Sequence, residues 1–172
     1  LPQQLENIIE LADVVQHIED LVFLIIGWGT EKEKIISLAK EKNLKNVIFL
    51  DSVTRIEFSN ILKMADIGLI SLNKDFTIPN YPSKVNAYYK FKIPVLAAVD
   101  TSTDFGVEQE KIGCGFWAPS GDTETLKNKL LRLYENKELR KMMGLKGYQY
   151  MKNNLTPQHA YQRIINQFKN DR

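Results

Sequence analysis

The stretch NYPSKVNAYYKFKIPVLA, residues 80–97, decides the fold, because it runs from a proline turn through an amphipathic helix into a buried strand. Proline fixes φ near about −65° and has no N–H. Pro82 therefore belongs in the first turn of a helix, with Ser83 and Lys84 following on free amides. The spacing predicts a helix over 81–91. A helix start of this kind, facing the carboxyl end of a sheet, attracts phosphate through its unpaired amides and its dipole, and Lys84 adds a full charge. Ile93–Ala98 is an unbroken apolar run with Pro94 near its start, as expected of a parallel strand covered on both faces.

The same alternation extends on either side. Leu5, Ile8, Ile9, Ala12, Val15 and Ile18 recur at helical spacing and predict a helix over 4–18. Residues 21–26 predict a strand closed by Gly27-Trp28-Gly29, and Ile35, Leu38 and Ala39 mark a helix reaching about residue 42. Strands over 47–50 and 67–71 flank a helix over 55–65. After Ala98 come a polar loop over 100–104, the segment 105–111, and the glycine-punctuated GCGFWAPSGD of residues 113–122. Helices over 123–135, 137–153 and 157–170 close the chain, with no further strand expected. Strict alternation of strand and helix predicts a Rossmann-like parallel sheet in a single domain. Right-handed crossovers place helices on both faces and the ligand outside the carboxyl ends of the strands.

Composition narrows the function. The 172 residues include 44% hydrophobic and 26% charged, enough for a substantial core. The net charge of +2 comes from interspersed Lys and Glu without an arginine-rich face, which gives no case for nucleic acid. One cysteine, Cys114, excludes an internal disulfide framework and suits the cytoplasm. No apolar run reaches the roughly 20 residues that span a bilayer. His17 and His159 lie far apart without ligand-type partners, so no metal site is expected.

Two further loops carry candidate chemistry. Gly27-Trp28-Gly29 follows a strand and precedes a helix, but Lys32 stands where a dinucleotide fingerprint needs its third glycine. The loop is either a place where a phosphate or sugar approaches the backbone or simply a tight turn. At the end of the next strand, Ser52, Val53 and Thr54 present backbone to a nucleobase edge or cap the following helix, and both can hold together. Tyr81, Tyr88, Tyr89 and Phe91 read as helix-to-sheet packing, with Tyr81 also able to face a ligand.

Taken together, FLIIGWGTEKEKIISLAKEKNLKNVIFLDSVTRIEFSNILKMADIGLISL, YPSKVNAYYKFKIPVLAAVD and GCGFWAPSGDTETLKNKLLRLYENKELRKMMGLKGYQY resemble the C-terminal domain of the family-four, or group 1, retaining glycosyltransferases of GT-B fold. The resemblance implies the donor-binding half of an enzyme that transfers a sugar from a nucleoside-diphosphate sugar, uridine favoured over guanosine, with no metal or other cofactor. Relatives with a Pro-Ser-Lys donor helix act in capsule, O-antigen or other surface-polysaccharide assembly. By this likeness Ser83, Lys84 and Val85 would hold the diphosphate, and Ser52, Val53, Thr54 and Asn86 would meet the base and ribose. Gly27, Trp28, Gly29, Asn80, Tyr81 and Pro82 would line the sugar cleft.

The sugar or lipid-linked acceptor would be held by a missing N-terminal domain, and the whole protein could associate peripherally with a membrane. The family's first strand of this domain would precede Leu1, so the chain would be inactive alone. The family also carries two glutamates eight positions apart, at positions that here hold Pro79 and Ala87. Two alternatives follow, a degenerate binding or regulatory module and a nucleotide-sugar epimerase of the same fold.

Overall fold

The computed structural model describes residues 3–75 and 81–170, with backbone only at 163 and 168–170. Asn80 and Pro79 lie outside the described residues. The chain runs α1 (Glu6–Val14), β1 (Phe23–Ile26), α2 (Lys32–Glu41), β2 (Val47–Leu50), α3 (Arg55–Met64), β3 (Gly68–Ser71) and α4 (Val85–Lys90), then β4 (Val95–Val99), α5 (Phe105–Ile112), β5 (Gly115–Pro119), α6 (Thr123–Glu135), α7 (Lys137–Asn154) and α8 (Pro157–Asn170).

Every strand pairing is parallel. Phe23 aligns with Val47, Gly68 with Val95, and Val95 with Gly115. The alternation expected from the sequence is therefore the architecture. The ladders, however, form two groups, β1–β2 and β3–β4–β5. Among the described residues no ladder joins β1 to β3. Their shared core nonetheless crosses the division: Ile8, Leu11, Ala12 and Val15 of and just after α1 pack with Phe23 of β1, Leu96 and Ala98 of β4, and Leu126, Leu130 and Leu133 of α6. On the other face Val85 and Tyr89 of α4 pack with Ile70, Val95, Ala97 and Phe105.

β5 lies in the glycine-punctuated segment 113–122, to which the sequence reading assigned no strand. Gly113, Gly115, Pro119 and Gly121 read locally as a loop, yet residues 115–119 complete the ladder beside β4. Pro119 is tolerated because it ends the last strand of that group, where a missing N–H costs little. The first helix also stops earlier than its apolar spacing predicts. Val15 and Ile18 keep the spacing, but the chain turns there, with the Ile18 amide donating to the Val15 carbonyl (3.0 Å) and Leu21 to Ile18 (3.2 Å). Burial continues through a turn, so periodicity outran the helix.

α4 is clamped from behind by α7. A β-carbon added at Gly144 of α7 would lie 1.9 Å from the Lys92 carbonyl oxygen, so only glycine permits this approach. Tyr89, fully buried, donates its hydroxyl to Gln109 Oε1 (2.8 Å) and stands edge-on to Tyr150 (centroids 6.3 Å apart). Burial raises the pKa of Tyr89 and that of the neighbouring Cys114 thiol, so both stay neutral.

Candidate functional site

In a parallel α/β unit each helix runs back against its strand, so the loop after a strand and the start of the next helix meet at one rim. Residues 27–31, 51–54, 72–75, 81–84, 100–104 and 120–122 therefore share the carboxyl edge. Of the sequence-derived candidates that are described, Gly27–Gly29, Ser52–Thr54 and Tyr81–Lys84 fall on these loops, and Val85 and Asn86 open α4.

The turn before α4 differs from the expected helix start. The α-helix begins at Val85, with Lys84 as its N-cap, and Pro82–Lys84 form a lead-in turn closed by Val85 N–H to Pro82 O (3.0 Å), Asn86 N–H to Ser83 O (3.2 Å) and Ala87 N–H to Lys84 O (3.1 Å). Of the residues expected at the diphosphate, Val85 already donates its amide to Pro82 and has its side chain wholly buried. Among the described residues the Ser83 and Lys84 amides have no acceptor. Both residues are exposed, and Pro82 is buried beneath them. Crowding by neighbouring atoms lowers the Lys84 pKa, and among the described residues no carboxylate lies within ion-pair distance of it. An exposed cation with no carboxylate partner among the described residues is free to pair with an anion.

Thr54 takes the helix-capping role that the sequence allowed it. It caps α3 through a capping box: the Glu57 amide donates to Thr54 Oγ1 (3.3 Å) and the Thr54 amide to Glu57 Oε2 (2.7 Å). Its N–H is thus unavailable to a base, and Ser52 and Val53 are left to present the loop. Hydrogen bonds from Thr54 hold the Glu57 carboxyl below its ordinary pKa. An ion pair between Lys32 and Asp51 ties this loop to the 27–31 loop and lowers the Asp51 pKa. In that first loop Gly27 adopts φ +136°, a conformation that glycine supplies without strain, whereas Gly29 has an ordinary φ and open space around it. Trp28 is 86% exposed and projects from the rim.

Asn86 and Tyr81 are brought together elsewhere. They line a cavity of about 250 Å³ with Asn154, Leu155 and Thr156 of the α7–α8 junction and Ala160 of α8. Ser52–Thr54 do not line it, so Asn86 is turned to the junction and not to the expected base loop. Tyr81 sits edge-on to Phe105, centroids 5.2 Å apart at 90°.

Sequence reasoning missed a polar network at the same rim. Asn7 of α1 donates to Ser71 Oγ (3.0 Å) and Ser120 Oγ (2.8 Å) and accepts from the Gly121 amide (3.1 Å). Asp100, buried after β4, accepts from the Ser102 and Thr103 amides at 2.9 Å each. Only an Asn inside an apolar helix and an Asp closing an apolar strand hinted at them. No linear spacing joins residues 7, 71 and 120.

The family model described as "Glycosyl transferases group 1" matches residues 3–150. A relative from Escherichia coli (strain K12), WcaI, named for colanic acid biosynthesis, is 32% identical over 83 residues, covering 48% of this chain and 20% of its own length. Among solved structures, Staphylococcus aureus TarM in complex with fondaparinux, α-GlcNAc-glycerol and UDP superposes with a TM-score of 0.80 at 20% identity, over 96% of this chain and 33% of TarM. The C-terminal domain of LpcC, a group 1 protein from Francisella tularensis, gives 0.70 at 17% identity over 88% and 79%. These likenesses show the fold, and the chain spans about a fifth to a third of the longer relatives.

Proposed function

The chain belongs to the glycosyl transferases group 1 family, and from that membership we propose that it is the half of the enzyme that holds a nucleoside-diphosphate sugar, uridine favoured, for transfer to an acceptor bound by another part of the protein. The observation that carries this reading is the Pro82–Lys84 turn, with two unpaired amides and a crowded, unpaired ammonium at the rim. Breaking the anomeric C–O bond with an oxocarbenium-like sugar leaves growing negative charge on the departing diphosphate. Fixed N–H groups and a cation stabilise that charge without reorganising, which is where a protein gains most. No metal is needed for this step. WcaI's name and the UDP held by TarM support surface-polysaccharide assembly with a uridine donor.

The same reading holds that an additional strand of the longer protein completes the sheet. In a parallel ladder alternate residues bond to each side. Phe23 and Gly27 donate to β2, and Gly68 and Leu72 donate to β4, so Leu24, Ile26, Leu69 and Ser71 turn their amides to the division between the ladders. Leu24, Ile48 and Leu50 are 40%, 47% and 37% exposed, unlike the doubly covered strands of a finished parallel sheet. Transfer by this chain alone is therefore not expected.

Titrating the full-length protein with UDP and GDP while following the Ser83 and Lys84 amides by NMR tests the reading. Both resonances should move with UDP; no movement at saturating nucleotide overturns it. Ala87 favours a second reading, a degenerate binding module, because its methyl cannot accept a ribose hydroxyl bond where the family has glutamate. Robust transfer by the unmodified full-length protein removes that alternative.

A further inference from the structure

We propose that Tyr81 and Gln109 are positioning residues for the donor: when a nucleoside diphosphate is seated on the Pro82–Lys84 turn, the Tyr81 hydroxyl bonds the open end of the buried Gln109 amide, and that bond holds the turn in place. The inference rests on the donor-site reading above.

A polar cluster lies behind the turn, inside an otherwise apolar core. Tyr89 of α4 and Gln109 of α5 are both wholly buried. Tyr89 donates its hydroxyl to Gln109 Oε1 (2.8 Å), and the Cys114 thiol lies 3.2 Å from the same oxygen and 3.4 Å from the Tyr89 oxygen. All of this serves one end of the amide. Gln109 Nε2 has no hydrogen-bond partner among the described residues. Turning the amide over exchanges its two ends and still leaves one open. A buried polar group without a partner costs free energy and is rare in folded proteins, which points to a partner that arrives in another state of the molecule.

Tyr81 is the group placed to arrive. Its ring stands edge-on to Phe105, and Gln109 lies four residues on from Phe105, one turn along the same face of α5. Burial raises the pKa of the Tyr81 hydroxyl, and Tyr89 and Gln109 are close enough to act on its ionisation. A hydroxyl both donates and accepts, so it satisfies either end of an amide.

The two sides of the bond differ in freedom. Tyr89 is fixed from behind: a β-carbon added at Gly147 of α7 would lie 2.6 Å from its Cδ1, so that helix seats directly on the ring. Tyr81 is 39% exposed and joins the turn through Pro82, so a shift of the turn carries its hydroxyl along. Because linkage is reciprocal, a bond that closes with the diphosphate seated also tightens the diphosphate.

The test is UDP calorimetry on full-length wild-type protein, Tyr81→Phe, Gln109→Met and the double variant, with NMR of the Gln109 side-chain amide. Phenylalanine keeps the ring against Phe105 and removes only the hydroxyl. Tyr81→Phe is expected to weaken UDP about threefold to tenfold, as for one net hydrogen bond, with its melting temperature unchanged. Gln109→Met should weaken UDP as well, and adding it to Tyr81→Phe should bring no further loss. Additive losses, or wild-type affinity in Tyr81→Phe, overturn the proposal. In wild-type protein the Gln109 Nε2 protons should move downfield on saturation with UDP and stay in place in Tyr81→Phe, a readout that does not need the Gln109 variant to fold. Unmoved protons in the wild type overturn the proposal too. A wild type that binds UDP and fails these tests leaves the donor site standing, whereas one that binds no UDP removes the donor-site reading and this inference together.

Discussion

Lys84 carries the electrostatics of the rim. Because its ammonium belongs to an exposed residue with no carboxylate partner among the described residues, replacing it with Met removes little from the free protein and a favourable charge from the complex. Lys84→Met should therefore leave the melting temperature unchanged or higher, while UDP affinity of the full-length protein falls at least about tenfold, in line with a lost charge-assisted bond. Its pKa lies below the ordinary 10.5, and the cation is the binding form. Affinity should accordingly fade as pH rises through that lowered value, and the fade should vanish in the Met variant. Gly27 and Gly29 separate by the same logic of single residues: alanine at Gly27, with φ +136°, is strained, whereas at Gly29 it meets nothing within 4 Å. Gly27→Ala should lower stability by about 1 kcal/mol or more and Gly29→Ala by little, as read from urea unfolding.

At the scale of elements, helix starts and close approaches decide the outcome. Thr54→Ala removes the hydroxyl half of the capping box, leaving the residue-54 amide on Glu57, and should cost about 1 kcal/mol. Glu57 has a lowered folded pKa, so its contribution is full above the unfolded value near 4.5 and is lost as pH falls through the folded one. The Thr54 amide shift should follow that acid transition and lose it in Glu57→Gln. On α7, Gly144→Ala forces a methyl to 1.9 Å from the Lys92 carbonyl, and the helix must move off α4. A loss of about 2–3 kcal/mol is expected, with shifts in the α4 amides that face the rim. Most of these elements were legible in the sequence, since apolar spacing reports burial. Where burial and helix part company, as at Val15–Ile18, the spacing misplaced the boundary. At residues 115–119 glycine and proline disguised a strand that exists because β4 offers it a complete parallel edge.

For the molecule as a whole, the division of the sheet into two ladders is the feature with the widest consequence. If a further strand of the longer protein lies between them, the amides of Leu24, Ile26, Leu69 and Ser71 should exchange with solvent rapidly in the isolated chain and slowly in the full-length protein. Equal rates in both would count against that strand. The order of the segments, the parallel pairing and the proline turn before α4 were determined by the sequence alone, because strand–helix alternation permits few topologies and proline carries its preference locally. Only the tertiary structure decided which groups at the rim stay free: the Thr54 and Val85 amides are consumed by partners nearby, Asn86 is turned to the α7–α8 junction, and Asn7, Ser71 and Ser120 meet across more than a hundred positions. Those outcomes depend on which backbone bonds close first and which helices pack together, and no run of neighbouring residues encodes a contact made through the core.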